Sequence, residues 1–167
     1  KGDFVPVGAA GNKNEFRSAE NISGIYMYSE GVPVESPAYG NLALTTQNSG
    51  KVSYRTSSIP DDWNNAILNF WDDFSEDGEL TELDAQYDVD PMASLAVKKT
   101  VQPGATETFV FFLTWNFPNR KGWSGTVVGN YYSTRYPDAW ESAQSVIPRI
   151  PELEDQKLIF VHSFLKS

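Results

Sequence analysis

The chain has 167 residues, 40% of them hydrophobic and 14% aromatic, which is enough for one domain with a real core and argues against disorder. Its formal charge of −9 argues against nucleic acid as a partner and against anionic membrane surfaces, because both need a basic face. Zero cysteines exclude disulfides and thiol chemistry, and a single histidine, His162, is too few for a His-based metal cage. Cysteine usage alone leaves both a cytoplasmic and a bacterial periplasmic or extracytoplasmic location open. No apolar run approaches the roughly 20 residues of a spanning helix, so no transmembrane segment is expected. The chain opens on Lys1 rather than Met, which reads as an excised or processed piece.

Residues 1–20 read as loop or irregular strand, with Phe4, Val5 and Val7 as their apolar part. Segment 22–29, ISGIYMYS, is rich in β-branched and aromatic residues and predicts a strand. Segment 38–46 predicts a second strand and 52–56 a third, the latter alternating Val52, Tyr54 and Thr56 against Ser53 and Arg55. Asn48, Ser49 and Gly50 between them predict a hairpin. Asp61 or Asp62 can cap a helix near 62–75, in which Trp63, Ile67, Phe70 or Trp71, and Phe74 recur at helical spacing. Gly78 is placed to stop that helix. The acidic run 72–82 reads as a solvated loop.

Segment 93–101 predicts a strand, and Pro103-Gly104 a turn. Segment 108–115, TFVFFLTW, is apolar on both faces and therefore predicts a central strand, with Trp115 in the core. The loop 116–135 is longer than usual for one without regular structure, and such loops are often functional. From Asp138 the period turns helical, with a helical segment near 138–165. Trp140, Ala143, Ile147 and Ile150 form one stripe, and Leu153, Leu158, Val161 and Leu165 continue beyond the breaks at Pro148 and Pro151. The fold class is mainly β, a β-sandwich with these two helical parts.

The stretch 109–140 carries three of the five tryptophans and organises the rest. Its segments TWNFPNR (114–120) and VGNYYSTRYPDAW (128–140) resemble the N-terminal β domain of glycoside hydrolase family 116, the bile-acid β-glucosidase or non-lysosomal glucosylceramidase-like enzymes. Upstream, EGVP (30–33), AYGNLAL (38–44), VSYRT (52–56) and FWDDFSEDGEL (70–80) are similar to bacterial members. The resemblance runs over about residues 22–165.

It implies a retaining β-glycosidase as the parent protein, with an N-terminal β-sandwich followed by an (α/α)6 barrel that holds the catalytic pair. Residues 1–137 would be part of the sandwich, and 138–167 a helical linker toward a catalytic barrel absent from this chain. The partner is then that barrel in the same polypeptide, and through it a carbohydrate or glycolipid substrate. No position matches the catalytic pair, so the chain alone is expected to be inactive. The family's β domain is longer than this chain, so the sandwich is either shortened here or completed elsewhere.

Candidate site residues follow from the residue types. Trp123 and Tyr132 can stack on sugar faces, while Asn119, Arg120, Asn130 and Arg135 can hydrogen-bond hydroxyls, together making a substrate-cleft rim. Arg120, Lys121 and Arg135 form a basic patch in an acidic chain, whose plainer reading is pairing with the protein's own carboxylates. Asp72, Asp73, Glu76 and Asp77 sit at helical spacing, but a hydrolytic pair needs one raised pKa, and carboxylates in water do not provide it. Asp73, Ser75, Asp77 and Asp84, with Gly78, follow a calcium-loop spacing, with Ser at the third position and Asp at the twelfth. Calcium is the one cofactor this raises. Two other classes stay open: a stand-alone carbohydrate-binding module, and a structural interaction domain with an apolar patch along Trp140, Ile147 and Leu158.

Overall fold

The computed structural model describes residues 11–47, 49–59, 65–83 and 92–166. The fold is mainly β: among the described residues there are six strands in two antiparallel sheets, with three α-helices. The first sheet has the order β1 (Asn12–Ser18), β2 (Ile22–Ser29), β3 (Asn41–Gln47), β6 (Phe111–Asn116). The second pairs β4 (Lys51–Arg55) with β5 (Ser94–Lys98). Helix α1 is Asn65–Asp77, α2 is Ala139–Val146 and α3 is Ile150–Leu165, the last two joined by a 3-10 turn, Ile147–Arg149.

The period-2 rule gives the large sheet two unlike faces. Ile22, Gly24 and Tyr26 of β2, Ala43 and Thr45 of β3, and Phe112 and Thr114 of β6 share one face. Helix α2 packs there, and Ile22, Tyr26 and Ala43 form the core with Ala139, Trp140, Ala143 and Ile147. Full burial of an Ile or Leu side chain is worth roughly 1.5–3 kcal/mol, so this stripe holds the helix down. Gly24 is glycine because a Cβ there would lie 2.1 Å from the Leu44 carbonyl oxygen. Burial, then the nearby Asp138, push the Tyr26 hydroxyl up to about 12.

The start of α2 is pinned to the sheet by polar side chains. Asp138 is the N-cap and accepts from the Glu141 amide at 2.8 Å. The Asn41 side chain accepts from the Ala139 amide at 2.7 Å, and Thr114 Oγ1 donates to the Ala139 carbonyl at 2.8 Å. Pro148 then tightens the chain into the 3-10 turn, and Pro151 opens α3 in its first turn.

The other face carries Phe16 and Ile25, and the small sheet lies over β1 and β2, with Phe16 stacked on Tyr54. Beyond it is α1, held by Arg55. The layers thus run α2, four-stranded sheet, two-stranded sheet, α1.

Four expectations are corrected. Of the residues read as loop or irregular strand, 12–18 form a regular strand, which among the described residues pairs with β2 alone. Strands β3 and β4 do not form a hairpin; β3 has β2 and β6 on its two edges, and β4 crosses to the other sheet. Strand β6 is not central. Among the described residues it pairs with β3 alone, and Phe111, Leu113 and Trp115 are 44%, 55% and 57% exposed, so Trp115 is not in the core. The two-stranded sheet is too narrow to cover that half of the face. Finally, the acidic run is no solvated loop. Its first part is the end of α1, and Asp73, Glu79 and Glu82 bind Arg55, Lys51 with Lys98, and Thr56. Gly78 does stop α1, at φ +77° with its amide on the Phe74 carbonyl.

The patch expected along Trp140, Ile147 and Leu158 is also not one surface: Trp140 and Ile147 are buried on the chain's own sheet, and Leu158 alone is exposed. Phe4, Val5, Val7, Asn48, Asp61, Asp62, Trp63 and Asp84 lie outside the described residues. No helix among the described residues is long and apolar enough to cross a membrane.

Candidate functional site

The loop after β6 is a built ribbon. The Val128 amide bonds the Arg120 carbonyl at 2.8 Å, the Gly122 amide bonds the Thr126 carbonyl at 2.8 Å, and Lys121 bridges Val127 antiparallel. At the tip, the Gly125 amide closes on the Gly122 carbonyl at 3.0 Å, and Gly125 has φ +81°. This is a three-residue hairpin loop whose left-handed position needs glycine. Trp123 is the first residue past the turn's start and is wholly exposed. The S-G dipeptide at 124–125, followed by Thr126, Val127 and Val128, was the signal for a hairpin here.

The base of the ribbon is clamped. The Tyr132 hydroxyl accepts from the Phe117 amide at 3.1 Å and donates to the Phe117 carbonyl at 3.0 Å. Asn130 Nδ2 donates to the same carbonyl at 2.7 Å. Asn119 Nδ2 donates to the Ser36 carbonyl at 2.9 Å and also reaches the Val34 carbonyl, tying the ribbon to the loop after β2. Asn116, 1% exposed, donates to the Tyr136 carbonyl at 2.8 Å. A 3-10 turn, Tyr131–Thr134, closes the segment, and Arg135 donates to the Tyr131 hydroxyl at 2.9 Å and lies against its ring. A shallow groove of about 320 Å³, with Met27, Tyr28, Gly40, Leu42 and Phe117 in its wall, opens beside this base.

The six rim residues therefore divide in two. The side chains of Asn130 and Tyr132 are committed to the ribbon's own backbone at Phe117, and that of Asn119 to the Val34 and Ser36 carbonyls of the loop after β2. Arg120 and Trp123 are exposed, with Lys121 between them, and Arg135 is exposed on the 3-10 turn. Among the described residues, Arg120, Lys121 and Arg135 make no ion pair. Positions 116–135 hold no Asp, Glu or His. The ribbon can stack on and hydrogen-bond a ligand, but it has no group to move a proton in glycoside hydrolysis, which needs two carboxylates.

The acidic residues of α1 do a different job. Arg55, on β4 with its side chain 6% exposed, pairs with Asp73 at 3.0 Å and donates to Asn69 at 2.8 Å and to the Thr81 carbonyl at 2.9 Å. Burial alone would raise the Asp73 pKa, but the Thr81 amide and the Arg55 guanidinium outweigh it and hold the carboxyl below its ordinary range. A catalytic acid needs the opposite shift. Asp77 accepts from the Glu79 amide at 2.9 Å, and Ser75 donates to the Asp72 carbonyl. Asp73, Ser75 and Asp77 lie in the continuous helix α1, where the middle residue points away from the other two. Among the described residues, no group of three or more His, Asp or Glu side chains could hold a metal ion. His162 sits exposed on α3. Sequence reading missed Arg55, because an arginine in an alternating strand looks like a solvent-facing residue.

Over residues 2–153 the chain matches the family described as "beta-glucosidase 2, glycosyl-hydrolase family 116 N-term". No curated protein matches it.

Proposed function

The chain belongs to the N-terminal domain family of glycosyl-hydrolase family 116, and on that premise we propose that it is the non-catalytic N-terminal β domain of a β-glucosidase or glucosylceramidase type enzyme, supporting the catalytic domain and shaping the substrate cleft. The observation that carries this reading is the ribbon 116–130. It has a clamped base, a wholly exposed Trp123 at its tip, exposed cations at Arg120 and Lys121, and no carboxylate. That is a surface made to contact a sugar while another domain does the chemistry. The carbohydrate or glycolipid would be held between this rim and the catalytic barrel of the same polypeptide.

Trp123 alone also favours a second reading, a carbohydrate-binding module that works without an enzyme, because a bare indole at a hairpin tip is a stacking platform. Titrating the purified chain with β-gluco-oligosaccharides while following Trp fluorescence separates the two. A rim that needs the barrel gives no shift. A saturable shift that Trp123→Ala abolishes establishes the module instead.

A further inference from the structure

Helix α3 changes character along its length. Its first half, 150–157, holds Glu152, Glu154, Asp155 and Lys157. Its second half, 158–165, has six apolar residues out of eight: Leu158, Ile159, Phe160, Val161, Phe164 and Leu165. At about 100° per residue these do not form one stripe: Ile159 and Val161 point about 160° apart. Leu158, Ile159, Phe160, Phe164 and Leu165 are each between 51% and 75% exposed, and no residue of α3 is buried. The helix's main contact with the body is the 3-10 turn that precedes it. A helix apolar on most sides belongs in the interior of a structure, whereas one lying on a surface shows a single stripe. A lone helix of this length is also marginal without packing.

The family match stops at residue 153, the fourth residue of α3. The apolar half thus lies outside the matched span. We infer that the boundary between this domain and the next falls inside α3, near Lys157, and that residues 158–165 insert into an apolar socket among helices of the catalytic domain, buried on more than one side. This rests on the reading that a catalytic domain follows in the same polypeptide. Helix α2, pinned by Asp138, Asn41 and Trp140, and the prolines at 148 and 151 then make a stiff arm. The polar half spans the gap and the apolar half is the plug.

The test uses Ile159→Asp and Val161→Asp, which lie on opposite sides of the helix, with Asp155→Lys as the control. In the polypeptide carrying the catalytic domain, both Asp variants lower the melting temperature by about 3 °C or more, and the control does not. In the 167-residue chain alone, all three melt with the parent. A loss at only one of positions 159 and 161 in the longer polypeptide overturns the plug in favour of a surface stripe. Destabilisation of the short chain by either variant overturns it in favour of packing on this body. Dimerisation of the short chain that Phe160→Asp abolishes assigns the face to a second copy. Binding to phosphatidylcholine vesicles that Phe160→Asp abolishes assigns it to a bilayer. Because the readout is melting and not turnover, a failed plug is distinguishable from a failed assignment of the rim.

Discussion

The ring of Phe16 on β1 lies flat on the ring of Tyr54 on β4, with 3.8 Å between centroids and 3° between planes. This pair, with the Asn14 side chain donating to the Thr56 carbonyl at 2.8 Å, joins the two sheets. Removing either ring by Phe16→Ala or Tyr54→Ala is expected to cost about 2–3 kcal/mol. The double variant is expected to cost about 1 kcal/mol less than the sum, since the second change removes a ring whose partner is gone. Urea unfolding of the four proteins measures it. Strict additivity would mean that the sheets are joined elsewhere.

Arg55 is the joint on the other side of β4. Its replacement by Ala strands the Asp73 carboxylate and the Asn69 and Thr81 oxygens, and is expected to cost about 3 kcal/mol or more. The pH dependence follows from Asp73. Its folded pKa is lower than its unfolded one, so the unfolded chain binds more protons between the two values. The stabilisation is complete above the ordinary carboxyl pKa and is lost as pH falls through the folded value. As pH falls below the ordinary carboxyl pKa, the parent should lose more stability than Asp73→Asn, which has no proton to take up. Denaturant midpoints across that range decide it, and parallel curves would remove Asp73 from the account.

Thr45 is wholly buried on the α2 face and its hydroxyl has no hydrogen-bond partner among the described residues. An unpaired buried hydroxyl costs about 1–3 kcal/mol, and valine has the same shape without it. Thr45→Val should therefore raise stability by about 1 kcal/mol. A destabilised variant would show that the hydroxyl is satisfied in solution.

Much of this architecture is legible in the residues. Strand β2, the start of β4, helix α1 with its stop at Gly78, and the stripe of Trp140, Ala143 and Ile147 all follow from local period and turn chemistry. Sheet pairing does not. Nothing in the segment 48–50 says that β3 has both edges occupied, so a hairpin was the natural reading and a crossover the outcome. Strand β6 looks central because both its faces are apolar, yet among the described residues the face bearing Leu113 and Trp115 has no second sheet over it. At the candidate site, the length of the segment 116–135 predicts a functional loop but not that the side chains of Asn119, Asn130 and Tyr132 are spent holding it. Only the folded chain separates the clamp from the exposed pair, Arg120 and Trp123.

The central claim is that this domain contributes a sugar-contacting edge and no chemistry. Steady-state turnover of an aryl β-glucoside and of a longer glycoside by the polypeptide carrying the catalytic domain, with and without Trp123→Ala, tests it most directly. The account predicts an unchanged melting temperature, since the indole is wholly exposed, and a KM for the longer substrate raised roughly tenfold, the worth of about 1.4 kcal/mol of stacking, with kcat little changed. Identical kinetics for parent and variant on both substrates would contradict it.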